Sequence, residues 1–175
     1  MTTEGQTGSD ATTLCKACGL CCTGHLFAWA KLRSGELKTA EALGLKVFGS
    51  DPKQRGFNQP CPLWDGECTI YTSPHYPHFC GLYKCSLLKK VMDESVALPD
   101  ALMVIQQAKE LIAELAAMLP ESSNRNFRER LVHEIEQRGD DVEFQHKARR
   151  LLRFYNDHFG VKDLFDHLEE GTDSD

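Results

Sequence analysis

Four cysteines fall within one stretch of eight residues, CKACGLCC at positions 15 to 22. The C-x2-C spacing in this stretch lets two thiolates from one tight turn bind a single metal ion. Cys21 and Cys22 are a different case, because adjacent side chains diverge and rarely bind the same mononuclear ion. Adjacent cysteines suit two metal centres side by side, or one polynuclear cluster. The stretch therefore predicts a site that holds more than one metal atom.

The other four of the eight cysteines follow later in the chain. Eight thiolates are enough for two four-sulfur sites, and tetrahedral all-sulfur coordination is typical of zinc or of iron–sulfur centres. The spacing is not that of a ferredoxin run, because the third cysteine is followed directly by the fourth. It also differs from a zinc ribbon, since the later spacings are C-x6-C and C-x4-C. Zinc and iron both stay open, and the predicted metal ligands are Cys15, Cys18, Cys21, Cys22, Cys61, Cys68, Cys80 and Cys85.

The segment CPLWDGECTIY predicts a β-hairpin that brings two of the later cysteines together. Asp65-Gly66 is a favoured two-residue hairpin turn. Because side chains alternate between the faces of a strand, Cys61 and Cys68 are expected to share one face and to reach one metal centre. The register predicted by this turn has three pairs: Trp64 with Glu67, Leu63 with Cys68, and Cys61 with Ile70.

Cys80 and Cys85 follow Pro77 and are expected near the start of a short helix. A thiolate near a helix N-terminus is favoured electrostatically. The apolar residues predicted for this helix are Leu87, Leu88 and Val91. Three histidines could replace a thiolate, although a surface position or a role in orienting a ligand is the more frequent use of such residues: His25, His75 and His78.

A shift in composition divides the chain, because no cysteine follows Cys85 and helical periodicity begins near Met92. We expect a disordered N-terminus at 1–13, a cysteine-cluster metal-binding domain at 14–91, a helical extension at 92–168 and an acidic tail at 169–175. The predicted fold class is α-rich with a small β-hairpin. Short irregular elements form its N-terminal half, and a bundle-like helical segment follows. Residues 23–59 show little sustained apolar periodicity, so a thin core is expected there.

Three helices are predicted after residue 92. The first runs from about residue 100 to 119, with Asp100 as its cap and Pro120 as its stop. The second follows Ser122 and Ser123 and stops near Gly139, and the third runs from about 141 to 158. A short turn is expected at 164–168. The predicted apolar faces consist of Leu102, Ile105, Ala108, Ile112, Leu115 and Leu119, then Phe127, Leu131 and Ile135, then Ala148, Leu151, Leu152 and Tyr155.

Composition narrows the function classes. The formal net charge of −6 argues against nucleic acid binding, which needs a basic face. The interleaved charges of FRERLVHEIEQR are expected to form a solvated helix face. The N-terminus lacks the basic start and apolar run of a secretory signal, and no apolar run reaches 18 residues. We therefore predict a cytoplasmic protein without a membrane partner.

Two other uses of these cysteines are alternatives to metal binding. A disulfide framework is disfavoured because cytosolic thiols are kept reduced. Thioredoxin-like chemistry at a C-x-x-C pair needs a βα context that the sequence lacks. Metal binding is the favoured prediction.

The sequence resembles the CxxCxxCC family, also called YkgJ-like. The resemblance covers roughly residues 15–90 and rests on CKACGLCC, CPLWDGECTIY and PHFCGLYKC. It implies chelation of zinc or iron. Members are often described as iron–sulfur proteins or oxidoreductases, and the same domain occurs in flagellin lysine N-methylases. Tyr76 and Gly81 stand where the family commonly has arginines, so a role of those arginines in balancing cluster charge does not carry over.

Three functions follow from these observations. The favoured one is a metal-chelating protein that binds zinc or iron, including an iron–sulfur cluster, with a redox role. The second is a structural zinc module whose helical half binds a protein partner. The third is a group-transfer enzyme related to flagellin lysine N-methylases, which the shared domain alone does not establish. The sequence identifies no catalytic residue.

Overall fold

The computed structural model describes residues 9–51 and 53–162. These residues form a mostly helical fold with a small antiparallel sheet, as the predicted fold class states. The helices are α1 Asp10–Cys18, α2 Leu37–Ala42, α3 His78–Leu82, α4 Ser86–Met92, α5 Leu98–Ala116, α6 Phe127–Gln137 and α7 Val142–Phe154. A 3-10 turn at Ser34–Glu36 precedes α2, and a π turn at Tyr155–Phe159 extends α7. The strands are β1 Trp29–Lys31, β2 Val47–Phe48 and β3 Gly56–Asn58.

Helix α1 begins earlier than the sequence suggested. The side chain of Ser9 accepts a hydrogen bond from the Thr12 backbone N–H and caps the helix. Residues 10–13 are therefore helical, although we expected them to belong to a disordered N-terminus. Residues 1–8 lie outside the described part.

The sheet lies in the segment where a thin core was expected. Its strand order is β1-β3-β2, and β3 pairs antiparallel with both neighbours. Ala30 pairs with Phe57, and both are buried. The sheet and α2 share a small core, which the lack of sustained apolar periodicity between residues 23 and 59 did not locate. This sheet core consists of Ala30, Leu32, Ala40, Leu45 and Phe57.

The predicted two-residue hairpin at Asp65-Gly66 is not formed. Trp64 lies opposite Cys68 in an isolated antiparallel bridge, which leaves a three-residue loop from Asp65 to Glu67. A three-residue loop is a common alternative to the two-residue turn. The predicted pairs Trp64–Glu67 and Leu63–Cys68 are therefore wrong by one residue.

The C-terminal helices match the predicted pattern with shifted ends. Helix α5 begins at Leu98 because Pro99 suits the first helical turn, and Asp100 lies in that turn instead of capping it. Leu102, predicted for the apolar stripe, is exposed, whereas Ala101 and Leu111 are buried.

The ends of α6 and α7 follow local capping. Asn126, and not Ser122 or Ser123, caps α6 in a capping box with Glu129. Asp141 caps α7, and Gly160 ends the π turn in a left-handed conformation, as expected for these residue types. The predicted turn at 164–168 lies outside the described residues.

The main core joins both halves of the chain. Leu14, Leu20 and Leu26 from the cysteine-rich half pack in one cluster with buried residues of α4 to α7 and the π turn. The apolar stripes of α5 and α7 are thus buried within this cluster. In the described part of the chain, no helix combines the length and the apolar character needed to cross a bilayer.

Candidate metal centre

The first four cysteines lie on α1 and on the turn that follows it. Cys15 and Cys18 are one helical turn apart on α1. After α1, the N–H groups of His25 and Leu26 both donate to the carbonyl of Leu20, at 3.0 Å each. Leu20 is almost fully buried, so it anchors the turn that carries the two adjacent cysteines.

Gly19 allows the Trp64 loop to approach the end of α1. Its φ is +71°, and a Cβ at this position would lie 2.2 Å from Cζ2 of Trp64. A side chain at residue 19 is therefore excluded both by backbone conformation and by space. An ion pair of 3.0 Å between Lys16 and Glu67 joins the same two segments.

Cys61 and Cys68 belong to the loop segment whose Trp64 packs against Gly19. The backbone N–H of Cys61 donates to the carbonyl of Cys22 at 2.7 Å. Cys68 is held by its bridge to Trp64. These two cysteines are thus placed beside Cys22, although by a different register from the one predicted.

Cys80 and Cys85 lie on and beside two short helices. Cys80 lies within α3, where its carbonyl accepts a 3.3 Å hydrogen bond from the Tyr76 hydroxyl. Cys85 is the N-cap of α4, and its Sγ accepts a hydrogen bond from the Leu88 N–H at 3.4 Å. The predicted placement of Cys85 at a helix N-terminus is confirmed, as is the burial of Leu87, Leu88 and Val91.

One cavity of about 90 Å³ brings most of these cysteines together. Six of the eight line its wall: Cys15, Cys18, Cys21, Cys22, Cys80 and Cys85. The rest of the wall is mostly apolar or aromatic, and includes Phe27, Tyr76, Phe79, Tyr83 and Phe159. CKACGLCC therefore meets two of the four later cysteines, Cys80 and Cys85, at this cavity.

The thiols divide into two groups. The division follows the core against which each thiol packs and the neighbouring thiols that raise its pKa. The first group packs against the main core and consists of Cys15, Cys18, Cys21 and Cys85. The second group surrounds Cys22 and consists of Cys22, Cys61, Cys68 and Cys80. Cys61 and Cys80 of this group pack against the sheet core. Cys15 lies between the groups, because its pKa responds to both Cys85 and Cys68.

Burial is the main influence on all eight thiols. Burial, together with smaller effects of neighbouring thiols, raises the pKa of Cys18 and of Cys80 to about 12. Without a cation the thiols are therefore neutral at pH 7, and a bound metal ion would have to displace their protons. Lysines lower the pKa of four of them: Lys84 for Cys15, Lys109 for Cys18, Lys16 for Cys68 and Lys89 for Cys85.

The donor set fits zinc or iron, although its side chains do not converge on an ion position. All eight cysteines are free thiols of intermediate exposure. Among residues 9–51 and 53–162, no three His, Cys, Asp or Glu side chains are placed so that they could hold one ion. Sulfur donors on a shared cavity suit these metals, and rotation of thiol side chains is the change that coordination requires.

The three histidines have other contacts or lie exposed. His25 Nδ1 is 2.6 Å from the Thr23 hydroxyl, and burial lowers the pKa of His25 to about 4. His78 Nε2 is hydrogen-bonded to the Arg33 guanidinium. His75 is exposed.

Besides Tyr83 in the cavity wall, two tyrosines near the thiols were not singled out by the sequence as part of the site. Tyr76 replaces a family arginine, and its pKa is raised by burial and then by Cys80. Tyr155 was predicted only as a core residue. The presence of tyrosine at position 76, where an arginine is expected, could have indicated that Tyr76 belongs to the site. Tyr155 lies in an apolar stripe, and nothing in that pattern indicates a role beyond core packing.

Comparison with known proteins assigns the chain to a family. A family model described as "CxxCxxCC: Putative zinc- or iron-chelating domain" matches residues 14–111. The match contains all eight cysteines and continues past residue 90 into α5, further than the resemblance had indicated. No curated protein and no solved structure matches the chain.

Proposed function

We propose that this chain, which belongs to the CxxCxxCC family, holds two adjacent metal centres of zinc or iron. The family's description supports metal chelation in general. The two centres are assigned to the two thiol groups, Cys15, Cys18, Cys21 and Cys85 in the first and Cys22, Cys61, Cys68 and Cys80 in the second.

The relationship between Cys21 and Cys22 carries this proposal. After burial, the pKa of Cys21 is raised most by Cys18 and then by Cys22, whereas that of Cys22 is raised most by Cys68 and Cys61. The backbone bond from Cys61 to Cys22 supports the same division. Adjacent cysteines that face different partners are what two neighbouring centres require.

Coordination in each group needs side-chain rotations and the loss of thiol protons. A cysteine has one side-chain torsion, so its sulfur changes position when that torsion moves to another staggered rotamer. Metal binding releases the protons that burial otherwise keeps on the thiols. The sites are therefore completed by the ion and are not rigid beforehand.

An iron-loaded form would suit a redox role. The potential of an iron–sulfur centre depends on net charge, hydrogen bonds to sulfur and solvent exposure. All eight cysteines keep partial exposure, so electrons need cross only a thin protein layer. The nearby lysines would offset part of the negative charge of the thiolates. They would thus take over a role expected of the arginines that this chain lacks.

The structural zinc alternative is favoured by the shared core. Three leucines near the first cysteines are buried with residues of α5 to α7, so metal binding would stabilise the helical half directly. This observation gives the helices a role within the chain itself. A protein partner is not needed to explain their apolar faces.

Purification without oxygen, followed by metal analysis and an absorption spectrum, tests the proposal. We expect either about two zinc ions per chain, or iron with a brown colour and absorption near about 400 nm. Zinc without a redox change supports the structural role, and iron supports the redox role. A folded protein that contains and binds neither metal would overturn the proposal.

A further inference from the structure

The Tyr155 hydroxyl is buried without a hydrogen-bond partner. The side chain is 0% exposed, and within the described residues no group pairs with its Oη. A buried polar atom without a partner is costly and needs an explanation. A group absent from the structure is one such explanation.

The position of Tyr155 directs attention to the first thiol group. Tyr155 opens the π turn, and a π turn within or at the end of an α-helix often marks a functional site. Phe159, one turn later, lines the same cavity as Cys18, Cys21 and Cys85.

A close approach holds the π turn against α4. A Cβ on Gly160 would lie 2.3 Å from Oγ of Ser86, the residue directly after Cys85. The π turn is therefore packed beside the cysteine that caps α4. Tyr155 and Phe159 also contact each other, with ring centroids 6.2 Å apart.

The charges around Tyr155 favour a hydrogen-bond donor. Burial raises the pKa of its hydroxyl, Arg128 lowers it, and Cys18 and Cys21 raise it further. Tyr155 lies in the buried cluster against which Cys18 and Cys21 pack, while the guanidinium of Arg128 can donate a hydrogen bond but cannot accept one.

We propose that the Tyr155 hydroxyl donates a hydrogen bond to a metal-bound thiolate of the first group, that of Cys18 or Cys21. This inference rests on the proposed function. A neutral thiol is a weak acceptor, whereas a metal-bound thiolate keeps negative charge and accepts a charge-assisted hydrogen bond. The partner of the hydroxyl is therefore created when the ion binds.

Tyr155 is a positioning residue in this proposal. Groups that hydrogen-bond to metal ligands orient them and tune the metal. Tyr155 lies beyond residue 111, the end of the family match. The helical extension thus supplies a group to the metal centre as well as core packing.

The test compares Tyr155→Phe with the wild-type chain, using zinc and cobalt(II) as probes. Competition with a chelator is expected to show 10- to 100-fold weaker zinc binding at one of the two centres and unchanged binding at the other. In the cobalt-loaded protein, part of the thiolate-to-metal charge-transfer band is expected to move to longer wavelength, since a thiolate without the hydrogen bond is a better electron donor. A merely structural role would not move this band.

Phe144→Leu is the control for lost core packing. Phe144 is buried on α7, the helix that the π turn extends, and does not line the thiol cavity, so its replacement should lower stability but leave the cobalt band in place. Wild-type affinity and a superimposable cobalt spectrum in Tyr155→Phe would overturn the inference while leaving the proposed function intact. A wild-type chain that binds neither probe would overturn both.

Discussion

The backbone N–H of Cys61 donates a 2.7 Å hydrogen bond to the carbonyl of Cys22. This bond joins the turn after α1 to the loop that carries Cys68. It places Cys61 beside Cys22, while Cys21 packs against the main core with Cys18. The sulfurs of Cys21 and Cys22 therefore lie in different environments, although the two residues are adjacent in the chain.

Gly19→Ala is expected to weaken the second thiol group. The substitution adds a Cβ that would lie 2.2 Å from the Trp64 ring, at a φ of +71°. We expect the free energy of unfolding to fall by about 2–3 kcal/mol, because backbone strain and overpacking add. Chemical denaturation of the metal-loaded protein measures this change.

Gly44→Ala is the control for Gly19→Ala. Gly44 has a φ of +83°, and an added Cβ would meet no atom within 4 Å. It should therefore cost only backbone strain, about 1 kcal/mol. Equal losses for the two variants would show that contact with Trp64 does not matter.

Cys85→Ser and Cys85→Ala should separate capping from metal binding. Serine can still accept the Leu88 N–H at the start of α4 but is a poor ligand for these metals. Both variants are expected to lose the first centre, and the alanine variant should be less stable than the serine variant by about 1 kcal/mol. Metal content and thermal unfolding provide the two readouts. Retention of a full metal complement by Cys85→Ala would contradict the assignment of Cys85.

Removal of the metal is expected to disorder the cysteine-rich half. Zinc binding can supply roughly 10–16 kcal/mol of folding free energy, enough to offset the ordering of many residues. Hydrogen exchange should show that residues 15–85 lose protection in excess chelator, while the helices after residue 92 partly keep it. Unchanged protection of residues 15–85 after complete removal would refute this dependence.

His25 should make the protein less stable in mild acid. Burial, followed by Arg130 and Lys109, lowers its pKa to about 4 from 6.5. The unfolded chain therefore binds a proton that the folded chain does not, so stability is lost as the pH falls from about 6.5 towards 4. Between pH 7.5 and 5.5 we expect His25→Gln to reduce this loss by on the order of 1 kcal/mol.

The exposed His75 provides the comparison for His25. His75→Gln is measured in parallel to account for the loss of a histidine as such. If His25→Gln and the wild-type chain lose stability equally over this pH range, His25 is not held neutral in the folded state.

The features that the sequence could predict depend on local patterns. Periodicity located α5 and α7, and Asp141 and Gly160 marked ends because capping is decided by neighbouring residues. The order β1-β3-β2 depends on pairing between distant segments, which no local pattern specifies.

Local sequence patterns also could not predict that a charged side chain would be buried. Arg128 lies in a stretch of mixed charge that was expected to be solvated, yet it is 1% exposed and donates to the carbonyl of Leu26. Its guanidinium also lies 6.0 Å from the centroid of the Phe27 ring. Both contacts come from the turn after α1, so only tertiary packing reveals them.

Metal titration of Cys21→Ala and Cys22→Ala tests the central claim most directly. The wild-type chain should bind two equivalents of zinc, and each variant should keep one, because each lacks a ligand of a different centre. A complete loss of binding in both variants would contradict two separate centres and would indicate one shared cluster.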